Sequence, residues 1–201
     1  PLCVGLAGGI ATPESAAAGF QMGADYILTG SINQACIESG MSQQVKEMLV
    51  QAEQADVAMA PAADMFEIGA RVQVLKRGTL FPVRAEKLYN CYKQYSAFRE
   101  IPDKERGVIE NKILMADFEE KWHETQDFFK ANNNTKEIEK AEQDPKHKMA
   151  LVFRWYLGLA SKWALNGDPD RKMDYQIWCG PAMGAFNQWV KGTFLEKSDS
   201  R

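Results

Sequence analysis

Two glycine turns carry the clearest chemical signal in the chain. Gly8-Gly9 follows the apolar run Leu2-Cys3-Val4-Gly5-Leu6-Ala7, and Gly30-Ser31 follows Asp25-Tyr26-Ile27-Leu28-Thr29. Each turn ends a stretch of strand character and opens a helical one. Glycine leaves backbone N–H groups bare where a ligand must come close, and Ser31 adds a hydroxyl. The start of a helix has unpaired N–H donors and partial positive charge, so such a corner accepts phosphate. The alternative is that these glycines only turn the chain tightly. Spacing excludes two other phosphate devices. No Gly-Lys-Ser/Thr follows for a Walker loop, and Gly5, Gly8 and Gly9 do not have the dinucleotide-binding spacing.

Other residues offer less. His123 and His147, the two histidines, lie in charged helical stretches and read as solvated surface residues, not general bases. No serine sits in a nucleophile elbow, and no carboxylate pair stands out from a solvated face. The aromatic stripe at 153–163 reads as helix packing. Cys3, Cys36, Cys91 and Cys179 have neither CxxC nor metal-ligand spacing, and are expected to be small buried hydrophobes. With no secretory signal read at the start, the setting expected is reducing and cytoplasmic.

The 201 residues are 45% hydrophobic and 25% charged, with a net charge of −3. That composition is globular and excludes a wholly disordered chain. It lacks the basic excess of a nucleic-acid binder, and no apolar window of about 18 residues predicts a membrane span. Charge is uneven. Residues 1–60 carry 7 Asp, Glu, Lys or Arg, whereas residues 99–148 carry 23. The first stretch suits the interior of an α/β protein, and the second suits solvated amphipathic helices.

The elements follow from local signals. Leu2–Ala7 reads as a strand buried on both faces, as in a parallel sheet. Thr12-Pro13-Glu14 caps a helix that Gly23 stops. Asp25–Thr29 is the next strand. A short helix runs over 31–39, and Ser42 caps a longer one with Val45, Met48, Leu49 and Ala52 facing inward. In (β/α)8 barrels the loops after two late strands, with a short extra helix, frequently form a phosphate site, and this order fits. Asp64–Lys76 reads as a helix, although Val72 and Val74 alternate like a strand. Helices are predicted over Pro82–Tyr95, over Asp103–Ala131 as one long amphipathic element, from Asp144-Pro145 to Asn166-Gly167, and from Pro181 onward.

The motifs resemble a known family. Gly5-Leu-Ala-Gly-Gly-Ile-Ala-Thr-Pro-Glu-Ser and Gly23-Ala-Asp-Tyr-Ile-Leu-Thr-Gly-Ser-Ile-Asn-Gln resemble the end of the FMN-dependent barrel of nitronate monooxygenase-like flavoproteins. Ala60-Pro-Ala-Ala-Asp-Met-Phe-Glu-Ile-Gly, Val72-Gln-Val-Leu-Lys-Arg-Gly-Thr-Leu-Phe-Pro, Lys148-Met-Ala-Leu-Val-Phe-Arg-Trp-Tyr-Leu-Gly-Leu and Asp174-Tyr-Gln-Ile-Trp-Cys-Gly-Pro-Ala-Met-Gly-Ala-Phe-Asn resemble one branch. That branch is the stand-alone enoyl reductase of polyunsaturated fatty acid synthases and trans-acyltransferase polyketide synthases. The resemblance implies an α/β chain forming the carboxy-terminal part of a (β/α)8 TIM-type barrel, its last two βα units, followed by a mainly helical subdomain. Residues 1–60 would end the FMN-binding barrel, 61–98 would be connecting helices, and 99–201 the helical tail.

The implied chemistry is hydride transfer from NAD(P)H through FMN to a 2-enoyl thioester on acyl carrier protein, within a synthase complex. By the same likeness Gly8 and Gly9 give N–H groups to the FMN phosphate, Gly30 and Ser31 close the site, and Ala7 and Thr29 flank it. The family's active-site histidine matches nothing here, so no catalytic residue is assigned. The chain is expected to be a segment of a longer polypeptide, since two units cannot close a barrel. Two other functions fit the residues: nitronate oxidation on a similar flavin barrel, and a non-catalytic helical docking module in a synthase. Tyr175–Asn187 is expected to form a lid over the flavin.

Overall fold

The computed structural model describes residues 2–197 and 199. The chain divides into two compact units, and neither is continuous in sequence. One gathers the chain up to Met59, Gln73–Pro82, and the chain from Ser161 onward; the other gathers Ala60–Val72 and Val83–Ala160.

The first unit opens with β1 (Gly5–Ala7), α1 (Pro13–Gln21) and β2 (Tyr26–Leu28). The strands pair in parallel, Gly5 opposite Tyr26 and Ala7 opposite Leu28. A Cβ at position 5 would overlap the Tyr26 ring, so this pairing requires glycine there. A capping box starts α1: the Ser15 N–H donates to the Thr12 hydroxyl (3.3 Å), and the Thr12 N–H donates to the Ser15 hydroxyl (2.9 Å). Gly23, in the left-handed region at φ +95°, follows its end.

Burial on both strand faces is not what the structure shows. Gly19 of α1 packs toward Leu6 and Ile27, so α1 covers one face. Tyr26 and Leu28 point the other way, following the period-two alternation of a strand. They are 46% and 58% exposed, and Leu2 and Val4 are also exposed.

After Gly30 the expected short helix is a tighter 3₁₀ turn, Ser31–Ala35. Then α2 (Gln43–Val50) starts at Ser42, whose hydroxyl accepts the Val45 N–H at 3.4 Å. Its inward residues Val45 and Leu49, with Ala52 just past its end, join Leu75, Ala164, Tyr175, Ile177, Cys179 and Met183 in one core.

Residues 57–75 form two strands, β3 (Val57–Pro61) and β4 (Arg71–Leu75), hydrogen-bonded as a pair. The helix expected over Asp64–Lys76 is therefore absent. Gly69, at φ +77°, turns the chain, and the β-branched alternation of Val72 and Val74 prevails over helical spacing. The tail segment after Tyr175 runs alongside β4. The Leu75 N–H donates to the Ile177 carbonyl (2.9 Å), and the Cys179 N–H donates to the Gln73 carbonyl (3.2 Å). A last helix, α8 (Ala182–Val190), seats Gly184 where a Cβ would overlap the backbone of Glu53 and Gln54. Asn187 Nδ2 donates to the Leu49 and Ala52 carbonyls at 2.8 and 2.7 Å, which satisfies orphan acceptors at the end of α2.

The second unit is helical. It holds most of α3 (Phe81–Gln94), then α4 (Asp103–Val108), a π turn (Ile109–Leu114), α5 (Phe118–Ala131), α6 (Thr135–Gln143) and the first part of α7 (Pro145–Asn166). The single helix predicted over Asp103–Ala131 is broken. Met115 adopts the left-handed conformation at φ +58°. Glu110 spans the break, accepting the Ala116 N–H through its carbonyl (3.2 Å) and the Phe118 N–H through its carboxylate (3.0 Å). The helix α6 was not expected.

Asp144 caps α7 by accepting the Lys146 and His147 N–H groups at 2.9 and 3.2 Å. The aromatic stripe of α7 packs inward as read. Phe153 meets Phe66 and Phe98 edge-on, and Phe98 stacks on Phe118 with centroids 4.1 Å apart.

Candidate functional site

In the first unit β1 and β2 end side by side, so the turns that follow them meet. Gly8-Gly9 and Gly30-Ser31 border one hollow of about 310 Å³. All six residues singled out from the sequence line it: Ala7, Gly8, Gly9, Thr29, Gly30 and Ser31. Gly8 and Gly9 lie at φ +87° and +73°, a conformation that costs other residues. A Cβ at position 8, 9 or 30 would meet no protein atom within 4 Å, so these bare positions face open space.

Sequence reasoning reached the other wall only through the segment Tyr175–Asn187, expected as a lid, and missed Gln73. Gln73 of β4 and Gly180, Pro181 and Ala182 at the start of α8 also line the hollow. They lie far from the glycine turns in sequence, and only the pairing of the tail with β4 brings them there. The Gly180 N–H donates to the Ser31 hydroxyl at 2.9 Å, and Gln34 Nε2 donates to the Trp178 carbonyl. The tail thus holds the 3₁₀ turn directly. Thr29 is engaged locally: its hydroxyl donates to Asn33 Oδ1 (2.9 Å), and Asn33 Nδ2 donates back to the Thr29 carbonyl (3.0 Å). No charged side chain lines the hollow among the described residues. What it offers is backbone, hydroxyl and amide donors, a set suited to an anion bound without a counter-cation.

The Cys179 thiol, beside Gly180, is pushed up to about 12 by burial and then by the Asp56 carboxylate. It is a packing residue, not a thiolate nucleophile. All four cysteines are free; Cys91 and Cys179 are buried, Cys36 is partly buried and Cys3 is exposed. The expectation of burial fails at Cys3, which precedes β1 next to the uncovered Leu2 and Val4.

Two further expectations change. His123 is exposed, as read. His147 is buried, with Nε2 2.7 Å from Glu137 Oε2, because the unexpected α6 brings Glu137 onto α7. The lid expected over Tyr175–Asn187 is largely core: Tyr175, Ile177 and Met183 are fully buried, although Trp178 is 59% exposed.

The second unit has a larger hollow of about 760 Å³, walled in part by Phe98, Phe118, Trp122 and Lys148. Lys148 is tied to Glu119 at 2.7 Å and sits over the Phe118 and Trp122 rings. No helix among the described residues is long and apolar enough to cross a membrane.

With this geometry in view, the likeness to known proteins is informative. The chain has the fold of part of the enoyl reductase domain of MlnA, from the macrolactin biosynthesis cluster of Bacillus amyloliquefaciens. That crystal structure matches with a TM-score of 0.93 and 47% identity, over 99% of this chain and 44% of that one. The polyketide biosynthesis protein PksE of Bacillus subtilis is 52% identical over 98% of this chain and 25% of its own length. A polyunsaturated fatty acid synthase polypeptide of Thraustochytrium sp. is 51% identical over 96% of this chain and 13% of its own length.

The chain thus spans a quarter or less of these curated relatives. Residues 95–175 match the family described as the inserted helical domain of [acyl-carrier-protein] S-malonyltransferase. The chain is similar to an enoyl reductase region of polyketide and polyunsaturated fatty acid synthases.

Proposed function

We propose that the chain is part of an FMN- and NAD(P)H-dependent enoyl-[acyl carrier protein] reductase, and that the hollow holds the FMN phosphate. The observation that carries this is the convergence of Ala7, Gly8, Gly9, Thr29, Gly30 and Ser31 on one uncharged, donor-rich hollow. The likeness to a synthase enoyl reductase domain over 99% of the chain supports the reaction class. The donors present fit a phosphate group, and FMN when bound supplies the hydride chemistry between NAD(P)H and the 2-enoyl thioester.

The chain's own residues bind and orient. The N–H groups at Gly8, Gly9, Gly30 and Ser31 and the Ser31 hydroxyl hold the phosphate, while Ala7 and Thr29 flank it. In this reading residues 1–60 are the end of a (β/α)8 barrel; the expected division into connecting helices over 61–98 and a helical tail over 99–201 gives way to a helical second unit, with Gln73–Pro82 and the chain from Ser161 belonging to the first. The exposed Tyr26 and Leu28 face is covered by other barrel strands. The substrate is carried by acyl carrier protein within a cytoplasmic synthase complex.

The test is flavin retention in the full-length polypeptide. At Gly30 a Cβ meets no protein atom, although the backbone (φ −122°, ψ −73°) lies outside the helical and extended regions, so Gly30→Val fills ligand space at some backbone cost. Gly8→Val adds strain at φ +87°. Each variant blocks one or two hydrogen bonds to a charged group, a loss of about 1.5–3 kcal/mol apiece. If both retain FMN as tightly as the wild type, the phosphate assignment is wrong.

The match of residues 95–175 to an inserted helical domain favours a second, compatible reading: the helical unit is a non-catalytic module that holds a synthase partner. Colourless full-length protein that still binds acyl carrier protein would leave this as the sole function.

A further inference from the structure

Given the phosphate reading of the hollow, on which this rests, we infer that Gln73 is a further phosphate-binding residue, so that the tail and the barrel-like turns together make the cofactor site. Three polar side chains line the hollow: Thr29, Ser31 and Gln73. The Thr29 hydroxyl proton is committed to Asn33. The Ser31 oxygen accepts the Gly180 N–H, which leaves its proton to donate outward. The Gln73 amide is the longest donor on the opposite wall. With no cation among the lining residues, neutral donors must supply the side-chain contacts to the anion.

The placement of Gln73 is rigid at its base. Its carbonyl accepts the Cys179 N–H at 3.2 Å, and the next residue, Val74, is fully buried and bridges Trp178 in antiparallel fashion. Because side chains alternate along a strand, burial of Val74 turns Gln73 to the other side of β4, where the hollow lies. Gly180 fixes how near the amide comes. A Cβ there would lie 3.0 Å from Gln73 Oε1 and 3.6 Å from Ser31 Oγ. The amide oxygen and the hydroxyl therefore lie beside the space that the missing side chain leaves, and with the oxygen on the Gly180 side the amide NH2 is the end left to donate to a ligand. A side chain at position 180 would push them apart.

The experiment compares FMN with riboflavin, which lacks the phosphate, by equilibrium binding to the full-length apoprotein. Its variants are Gln73→Met, which keeps the length and removes the donors, and Gln73→Glu, which adds a like charge. FMN affinity is expected to fall about tenfold or more in Gln73→Met and further in Gln73→Glu. Riboflavin affinity should stay at the wild-type value in both, which also certifies the fold. Wild-type protein that binds FMN and riboflavin equally well would overturn the phosphate reading and this inference with it. A wild-type preference for FMN that survives undiminished in both variants would overturn the role of Gln73 alone. Equal losses for both flavins would make Gln73 a structural residue and overturn it as well.

Discussion

The two units fill their interiors by different means. The first relies on close backbone approach: small and aliphatic side chains, an asparagine capping helix carbonyls, and a glycine of α8 against the backbone of Glu53 and Gln54. The second relies on side chains meeting side chains. Phe66, Tyr89, Tyr92, Phe98, Phe118 and Phe153 pile on one another, and the Arg71–Glu86 ion pair and the His147–Glu137 hydrogen bond link its segments. The difference bears on function. A ligand held by N–H groups needs bare backbone, which the first unit displays at Gly8, Gly9 and Gly30. The second unit turns its aromatics inward, with Phe128 the one exposed aromatic among its described residues, and displays charge instead.

The sharpest way to break this contrast is to add one methyl group to a helix glycine in each unit. Gly184→Ala places a Cβ against backbone that cannot swing aside. We expect a loss of about 3 kcal/mol, at the upper end for overpacking, read as a lowered denaturation midpoint. Gly158, in α7, is exposed, and a Cβ there meets nothing within 4 Å. Gly158→Ala is expected to stabilise by about 0.5–1 kcal/mol through helix propensity. Equal effects of the two substitutions would erase the distinction.

A smaller effect is expected where the second unit depends on a polar side-chain pair. His147→Ala removes a buried ring and its hydrogen bond to Glu137, whose side chain is 34% exposed. Discounted for that exposure, the loss is about 1–2 kcal/mol. The enoyl reduction proposed for the full-length protein should remain near the wild-type rate. A hundredfold drop in turnover would make the residue an acid–base group after all.

The caps and half of the site were legible in the sequence, and the reason is locality. Thr12, Ser42 and Asp144 act on N–H groups two or three residues away, so their patterns are written in adjacent positions. Gly8-Gly9 and Gly30-Ser31 follow the ends of paired strands, and strand pairing alone brings them together. Gly180 was legible only as part of the expected lid segment, and Gln73 left no such mark, since the two come together through a tail–strand pairing across about a hundred residues of intervening helix.

Asp64–Lys76 was misread because a helix-compatible apolar spacing there coexists with β-branched alternation, and pairing with another strand decides between them. The break at Met115 was equally silent. It depends on Glu110 satisfying two N–H groups across the gap, while the apolar spacing continues undisturbed on both sides. His147 was misplaced for want of α6, a short charged helix whose inward residues are only Ile138 and Ala141.

The smallest effect concerns pH. Arg71 and Glu86 form a two-pronged pair at 2.7 and 3.0 Å. The guanidinium holds the Glu86 carboxyl below its ordinary value, against a smaller opposing cost of burial. A carboxylate more acidic in the folded than in the unfolded state favours folding wherever the unfolded group is ionised. Its contribution is fully present above the ordinary glutamate range, near pH 4.5, and is lost as pH falls through the lowered folded value.

Both side chains are 35% exposed, so solvent screening limits the contribution to about 0.5 kcal/mol. Glu86→Gln should therefore lower stability by about that amount at pH 7 and by progressively less as pH drops below about 4, where wild type and variant converge. Denaturant titrations of both proteins between pH 3 and 7 measure this directly. A difference that stays constant across the range would show that the glutamate acts through packing of its stem on α3 and not through its charge, and the second unit would then owe less to ion pairs than its surface suggests.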